Sequence, residues 1–238
     1  MAKNATVESS GGAMGVYDAE PEGPAKAAVI VIQEAFGVND HIQDVCGRLT
    51  SAGYRAVAPH LFHRNGDPII AYDDMESVMP QIMALTMENL EADLDATLGY
   101  LADNGFESSR VGIVGFCMGG GVVFLAAARH ALGAAVTFYG GGIDKGRFGM
   151  PSLLELAGEL KTPWLGLFGD ADQSIPSDQV ELLREAVQKA AVPAEIVRYP
   201  DADHGFHCDA RPGAYHESSA KDAWARTLEW FGTHLASG

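Results

Sequence analysis

Positive charge is scarce in this sequence. Only 16 of its 238 residues are lysine or arginine, against 32 aspartates and glutamates, which leaves a formal net charge of −16. A surface of this sign repels phosphate backbones and anionic lipid headgroups. We therefore expect no nucleic acid and no membrane surface as the partner, although overall charge does not decide the local field of a cleft.

Long apolar runs and paired cysteines are also missing. No run approaches the roughly 20 residues needed to cross a bilayer, and residues 1–23 are polar, without the apolar stretch of a secretory signal. The three cysteines, Cys46, Cys117 and Cys208, are odd in number and widely spaced, so they give no disulfide framework. These absences predict a cytoplasmic protein.

Strand and helix patterns alternate along the chain. Hydrophobic residues make up 47% of it, enough for a substantial core, and we expect one domain over residues 1–238, with residues 1–26 as an N-terminal β element and lead-in. Repeated strand–helix units predict an α/β fold with a mostly parallel sheet and helices on both faces. The predicted strands after the lead-in are residues 27–33, 54–60, 111–114, 134–139, 164–168 and 195–199. Helices are predicted after Asn39, over residues 80–103, after the strand at 111–114, and over residues 178–190 and 218–235.

The segment RVGIVGFCMGGG, residues 110–121, carries the strongest functional signal. It reads as strand, tight turn and helix, with glycines two positions before and two after Cys117, where they let the backbone pass without a Cβ clash. This is the nucleophile-elbow pattern with cysteine in place of serine. At a helix N-terminus the Cys117 thiolate is favoured, and the Met118 N–H points toward an oxyanion on a bound acyl group. The alternative is a buried, inert cysteine on an ordinary turn.

An acidic pair and a histidine follow the elbow, each just beyond a predicted strand. Asp170 and Asp172 come first and His204 second, so the order along the chain is nucleophile, acid, histidine, as in α/β-hydrolases. The carboxyl ends of parallel strands meet at one edge of a sheet. We predict that His204 exchanges protons with Cys117 and that Asp172 orients it, while Asp170 caps the turn. Alternatively, Asp172 is only a turn residue and His204 a surface residue.

Over residues 27–231 the chain resembles the dienelactone hydrolase family, the cysteine branch of the α/β-hydrolases. The most specific matches are QEAFGVN at 33–39, APHLFHR at 58–64, GFCMGG at 115–120, GDADQSIP at 169–176 and DADHGF at 201–206. The resemblance implies the α/β-hydrolase fold and hydrolysis of a lactone or ester.

The resemblance also implies roles for three residues near the first two matching segments. Glu34 corresponds to the glutamate that accepts the thiol proton in the resting enzyme until substrate displaces it, although an ion pair or a turn cap is the alternative. The loop that follows supplies the second oxyanion donor, by position the N–H of Ala35. Arg64 matches the arginine that clamps the substrate carboxylate, unless it is a solvated loop residue.

The chain departs from the best-characterised family members just after the histidine. They carry a second carboxylate-binding arginine four residues on, where this chain has Cys208. Arg211 can take its place if the loop folds back. Phe36 and Tyr139 match aromatic pocket positions, or else belong to the core.

Four methionines recur at every fourth position, from Met75 to Met87. They can line an adaptable apolar lid above the site, but helix packing interrupted near Pro80 is the more ordinary interpretation.

A metal or cofactor is not expected. His204, His207, Cys208 and His216 lie close together in sequence, yet their spacing matches no familiar zinc site.

The predicted reaction is acyl transfer through Cys117, with an acyl-thioester that water hydrolyses. The substrate is predicted to be a small, anionic lactone such as dienelactone, or an ester, and the chain a monomer or weak homo-oligomer. The alternatives are a broader carboxylesterase or thioesterase and, in a different class, a non-catalytic carboxylate-binding protein or a thiol sensor.

Overall fold

An eight-stranded, mostly parallel sheet forms the centre of the computed structural model, which describes residues 2–236. Its strands are β1 (Ala2–Ser9), β2 (Gly12–Ala19), β3 (Ala28–Ile32), β4 (Arg55–Pro59), β5 (Val111–Phe116), β6 (Ala134–Phe138), β7 (Trp164–Gly169) and β8 (Ala194–Tyr199). Their order in the sheet is β1-β2-β4-β3-β5-β6-β7-β8. The hairpin of β1 and β2 is antiparallel and pairs antiparallel with β4, whereas the other neighbouring strands are parallel.

Helices connect the parallel strands. They are α1 (Asp40–Ser51), α2 (Met75–Ala84), α3 (Met87–Asp103), α4 (Met118–Arg129), α5 (Leu153–Leu156), α6 (Ser177–Val187) and α7 (Glu217–His234). Short 3₁₀ turns lie at His63–Asn65, Ser108–Arg110 and Ala157–Glu159. Within residues 2–236 no helix has the length and apolarity that crossing a membrane requires.

Two glycines of β5 show that helices cover both faces of the sheet. A Cβ on Gly112 would lie 3.1 Å from the Phe231 ring of α7, and a Cβ on Gly115 would lie 2.7 Å from the Val123 side chain of α4. Residues 112 and 115 point to opposite faces because side chains alternate along a strand. The predicted layered α/β architecture is therefore confirmed.

The central strands are buried along their whole length. Every residue of β3, β4, β5, β6 and β7 is buried, which is why these segments appear in the sequence as continuous apolar runs rather than as alternating ones. The carboxyl ends of β5, β7 and β8 lead into the segments that carry Cys117, Asp172 and His204. The parallel arrangement brings those segments to one edge of the sheet.

The structure corrects one predicted element. Instead of a single helix over residues 80–103, α2 ends at Ala84 and α3 begins at Met87. The side chain of Thr86 accepts a hydrogen bond from the Asn89 N–H and starts the second helix, a capping signal that the leucine stripe of α3 obscured. Helix α1, by contrast, begins as predicted, with the Asn39 side chain as its cap.

Candidate active site

Cys117 occupies a sharp turn between β5 and α4. Its backbone has φ of 56° and ψ of −119°, an unusual conformation for a residue other than glycine. A Cβ on Gly115 would lie 2.4 Å from the Gly119 carbonyl oxygen, and a Cβ on Gly119 would lie 2.4 Å from the Gln33 carbonyl oxygen. Both positions therefore require glycine, and the predicted tight turn is confirmed.

The structure brings Cys117, His204 and Asp172 into one hydrogen-bonded line. The Nε2 atom of His204 lies 3.1 Å from the Cys117 sulfur, and its Nδ1 atom lies 2.7 Å from Oδ2 of Asp172. The other Asp172 oxygen accepts hydrogen bonds from the Ser174 N–H and hydroxyl, at 2.8 and 2.6 Å. The imidazole is thus positioned to exchange a proton with the sulfur on one side while the carboxylate fixes its tautomer on the other.

The electrostatics of this line favour a charged imidazole. Burial opposes the charge, but the contacts with the Asp172 carboxylate and the Cys117 sulfur raise the pKa of His204 to about 10. Burial likewise works against the Asp172 charge, and the hydrogen bonds from His204 and Ser174 more than offset it, so that the pKa of Asp172 is lowered. The arrangement therefore favours the imidazolium form of His204 between the Asp172 carboxylate and the Cys117 sulfur.

Asp170, the predicted acidic residue directly after β7, has a different partner. Asp170 forms an ion pair with the Arg198 guanidinium, 2.5 Å away, and does not contact His204. Of the two predicted carboxylates, only Asp172 reaches the imidazole.

Glu34 lies buried two residues beyond the end of β3, with 1% of its surface exposed. Its Oε1 atom is 3.3 Å from the Tyr139 hydroxyl, and its Oε2 atom has no hydrogen-bond partner in the described part of the chain. Burial and the neighbouring Glu34 charge raise the pKa of Tyr139, so the phenol stays protonated and can donate to this carboxylate. The Cys117 sulfur is paired with His204 in this conformation.

Gln33 was not singled out in the sequence but anchors the loop that carries Ala35. Its buried amide donates to the Glu34 carbonyl and accepts from the Leu61 N–H, both at 3.3 Å. The sequence signal for Gln33 is its place directly after an apolar strand and before Glu34, because a buried polar side chain needs hydrogen-bond partners. Ala35 itself is buried and follows β3, the strand that pairs with β5. The Met118 N–H belongs to the first turn of α4, where the backbone N–H groups have no acceptor within the helix.

A cavity of 820 Å³ opens on one side of Cys117. Its walls are mostly apolar and come from the end of α2, the start of α3, the elbow and the loop before α5. The lining residues are Met79, Ile82, Met83, Leu85, Thr86, Met87, Glu88, Cys117, Met118, Arg147, Phe148 and Gly149.

A second depression lies beside His204 and contains Arg211. Its lining also includes Tyr72 and two acidic residues, Asp73 and Asp203. The Arg211 guanidinium sits over the rings of Phe36 and Tyr72, with centroid distances of 5.7 and 5.5 Å, so the loop after His204 folds back onto these two rings. Among residues 2–236 no carboxylate lies within 4 Å of this guanidinium, which leaves its hydrogen-bond donors available to a ligand.

Arg64 is not brought to this site. Its guanidinium donates two hydrogen bonds to the buried Asp93 carboxylate, at 2.7 and 2.8 Å, and a longer one to the Ser9 hydroxyl. It lines neither the cavity beside Cys117 nor the depression beside His204. In this structure Arg64 is not placed to clamp a substrate carboxylate, because the Asp93 carboxylate already accepts hydrogen bonds from both of its terminal nitrogens.

Of the two aromatic positions, Tyr139 lies beside the catalytic line, and Phe36 lies against Tyr72 and Arg211. The Tyr139 ring centroid is 5.2 Å from that of His204, and the Phe36 ring packs edge-on against Tyr72 at 4.7 Å. Both rings are buried, so they also belong to the core.

Three potential metal ligands meet beside the site, and of the residues considered from their spacing only Cys208 is among them. Donor atoms of Glu34, His41 and Cys208 lie within 4.8 Å of one another. Burial lowers the pKa of His41, which keeps it neutral and able to coordinate, but burial also raises the pKa of Cys208 to about 11, which opposes the thiolate that a soft metal needs.

Comparison with known proteins gives a consistent result. A sequence model of the dienelactone hydrolase family matches residues 14–235. The chain is 43% identical over 231 residues to the Salmonella typhimurium protein named "Putative carboxymethylenebutenolidase", covering 95% of this chain and 85% of that protein. The Escherichia coli K12 protein of the same name is 42% identical over 232 residues, covering 95% and 84%. The crystal structure of a "Putative Dienelactone Hydrolase" from Klebsiella pneumoniae has a TM-score of 0.88, with 41% identity and 98% of each chain covered.

Proposed function

Because this chain belongs to the dienelactone hydrolase family and is a hydrolase of that type, we propose that it opens a small lactone such as dienelactone by acyl transfer through Cys117. The observation that carries the proposal is the hydrogen-bonded line from the Cys117 sulfur through His204 to Asp172. The names of the relatives support the lactone, since carboxymethylenebutenolide is the systematic description of dienelactone.

In the first step the Cys117 thiolate attacks the lactone carbonyl. The developing oxyanion accepts hydrogen bonds from the N–H groups of Met118 and Ala35, and each such donor is typically worth about 10²–10³ in rate. The bond to the ring oxygen then breaks. The leaving enolate takes a proton from His204, and the opened chain remains attached to the sulfur as a thioester.

In the second step water attacks the thioester. His204, now neutral, accepts a proton from that water, and the thiolate leaves beside the imidazolium that results. Asp172 stabilises the imidazolium in both steps through the 2.7 Å contact with Nδ1. The cycle ends with the same sulfur–imidazole pair with which it began.

Arg211 is the proposed anchor for the substrate carboxylate. In dienelactone the carboxylate is carried on the side of the ring oxygen, which is the leaving side and must therefore face His204. Arg211 and His204 share one depression, and the guanidinium is held on the faces of Phe36 and Tyr72 rather than by an acidic partner. A guanidinium in that position can bind a carboxylate with two parallel hydrogen bonds.

Glu34 is proposed to hold the thiol proton when the sulfur turns away from His204. Its buried Oε2 atom has no partner among residues 2–236, and Tyr139, which contacts Glu34, also packs against His204. A buried carboxylate is costly unless it is paired or used.

The test is hydrolysis of cis- and trans-dienelactone beside p-nitrophenyl acetate, by the wild-type protein and by Cys117→Ala. We expect the wild type to open dienelactone and the variant to lose at least about 10³-fold of the rate. If only the simple ester is cleaved, the acyl-transfer mechanism is retained, but the protein is a broader carboxylesterase and not a dienelactone hydrolase. No Cys117-dependent turnover of either would overturn the proposal in favour of a binding or thiol-sensing protein.

A further inference from the structure

The two depressions beside Cys117 and His204 differ in chemistry and in the reacting residue that each contains. The 820 Å³ cavity includes Cys117 and Met118 in its walls but not His204, whereas the depression with Arg211 includes His204 but not Cys117. The catalytic line therefore has an apolar side and a charged side.

The direction of the reaction decides which part of a substrate each side receives. The leaving group takes its proton from His204 and must lie on the His204 side, while the acyl group remains bonded to the Cys117 sulfur. The acyl part consequently extends into the cavity that Cys117 and Met118 line.

The cavity walls favour an uncharged, apolar acyl group. Three methionines, Met79, Met83 and Met87, line it from α2 and α3, and methionine adapts its shape to irregular apolar ligands. The two charged wall residues, Glu88 and Arg147, have opposite signs and so give the cavity no net preference for an ion.

The exposure of the methionines gives a second, independent argument. Met79 is 50% exposed and Met83 is 79% exposed, although Val78 of the same helix is buried in the core. Burying such side chains against a ligand stabilises the complex by removing apolar surface from water. The volume is also near the upper end of the roughly 300–1,000 Å³ that pockets offer to drug-sized ligands, far more than a five-membered lactone ring fills.

We infer that the site accepts substrates whose acyl side carries an extended apolar group, which binds in the methionine-lined cavity beside Cys117. This inference rests on the proposed acyl transfer through Cys117 and deepens it by naming the substrate class: lactones or esters with an alkyl or aryl substituent of several carbons on the carbonyl side. The charged group that Arg211 binds remains on the leaving side of the same substrate.

The experiment is a chain-length series of p-nitrophenyl esters, from acetate through butyrate and hexanoate to octanoate, assayed with the wild-type protein. We expect kcat/KM to rise about two- to fourfold for each added methylene until the cavity is filled. A flat or falling series would overturn the inference, while loss of all turnover in Cys117→Ala would show that the proposed acyl transfer still stands.

A pair of matched variants locates the acyl group. Met79→Ser combined with Met83→Ser should lower the ratio of octanoate to acetate kcat/KM at least tenfold, because both side chains line the cavity. Met75→Ser is the control, since Met75 is also an exposed methionine of α2, at 53%, but does not line the cavity. Equal effects of the two changes would contradict the assignment.

Binding of octanoate to Cys117→Ala, measured by titration calorimetry, makes the inference testable even if the esters turn over poorly. We expect octanoate to bind more tightly than acetate and the paired methionine variant to abolish the difference. Equal affinity for the two acids would overturn the inference whatever the kinetics show.

Discussion

The two arginines that the sequence offered to a substrate carboxylate lie in opposite surroundings. Arg64 is enclosed in an ion-pair network with Asp93, which is fully buried and is also contacted by His63 and Ser9. Arg211 lies on two aromatic faces beside His204, without an acidic partner in the part of the chain that the structure describes. The difference separates a guanidinium that stabilises the fold from one that can receive a ligand.

The same contrast extends to the buried acids. Asp93 has its oxygens satisfied by arginine, histidine and serine, whereas one oxygen of Glu34 has no partner among residues 2–236. Burial without a partner is expensive, and folded proteins retain it mainly where the group takes part in chemistry. The unpartnered oxygen therefore makes Glu34 a candidate for a part in the chemistry, whereas the Asp93 carboxylate belongs to the framework.

The strongest test of the active region is the removal of the Asp172 charge. Asp172→Asn should lower kcat by about 10²–10⁴-fold, because the amide neither stabilises the imidazolium nor fixes the correct tautomer. The carboxylate raises the pKa of His204, so its loss must lower that pKa, and the alkaline fall in kcat/KM, near pH 10 in the wild type, should move to lower pH. A pH profile of kcat/KM for both proteins measures the shift, and an unmoved alkaline limb would contradict the assigned role.

The structural role of Arg64 is tested by removing its ion pair with Asp93. Arg64→Met leaves the buried Asp93 carboxylate without its main partner and should lower the free energy of unfolding by about 3 kcal/mol. Denaturant unfolding measures this, and kcat/KM for dienelactone per folded molecule should change less than about threefold by the same reasoning, since the residue does not touch substrate. A large rise in KM with unchanged stability would restore Arg64 as a carboxylate clamp.

The complementary change at Arg211 should have the opposite signature. Arg211→Met removes a charged hydrogen-bond donor pair and should lower kcat/KM for dienelactone by about 10- to 100-fold, mainly through KM, with little loss of stability. Arg211→Lys should recover only part of the effect, because an ammonium does not reproduce the bidentate geometry. An uncharged ester, p-nitrophenyl butyrate, serves as the control substrate, and equal losses on the two substrates would argue against carboxylate binding.

The smallest expected effect concerns Glu34. Glu34→Gln keeps the shape and the Tyr139 contact but removes the acceptor for the thiol proton, so activity should fall by a few-fold to about tenfold without unfolding of the chain. Measuring both kcat/KM and the midpoint of thermal unfolding for the variant and the wild type separates a loss of activity from a loss of stability. Unchanged kinetics would remove the proposed proton-holding role.

Much of the fold could be predicted because its signals are local. The continuous apolar runs identify the buried strands, Asn39 identifies the start of α1, and the paired glycines around Cys117 identify the elbow. Cys117, Asp172 and His204 could be brought together from chain order alone, since each follows a parallel strand.

The features that could not be predicted from the sequence depend on contacts between residues that are distant along the chain. Asp93 lies 29 positions from Arg64, and nothing near Arg64 indicates that a buried carboxylate will hold it. The cavity beside Cys117 is likewise assembled from α2, α3 and the loop at residues 147–149, so its apolar character emerges only when these segments pack together. The break between α2 and α3 is a third case, because Thr86 caps a helix within an otherwise continuous helical pattern.

The most direct test of the central claim is mass spectrometry of the wild-type protein, quenched rapidly in acid during turnover of dienelactone. Opening a lactone leaves both halves of the substrate attached to the sulfur, so the peptide that contains Cys117 should gain the full mass of dienelactone, and the gain should be absent in Cys117→Ala. Turnover without any adduct on that peptide, or an adduct on another residue, would contradict acyl transfer through Cys117.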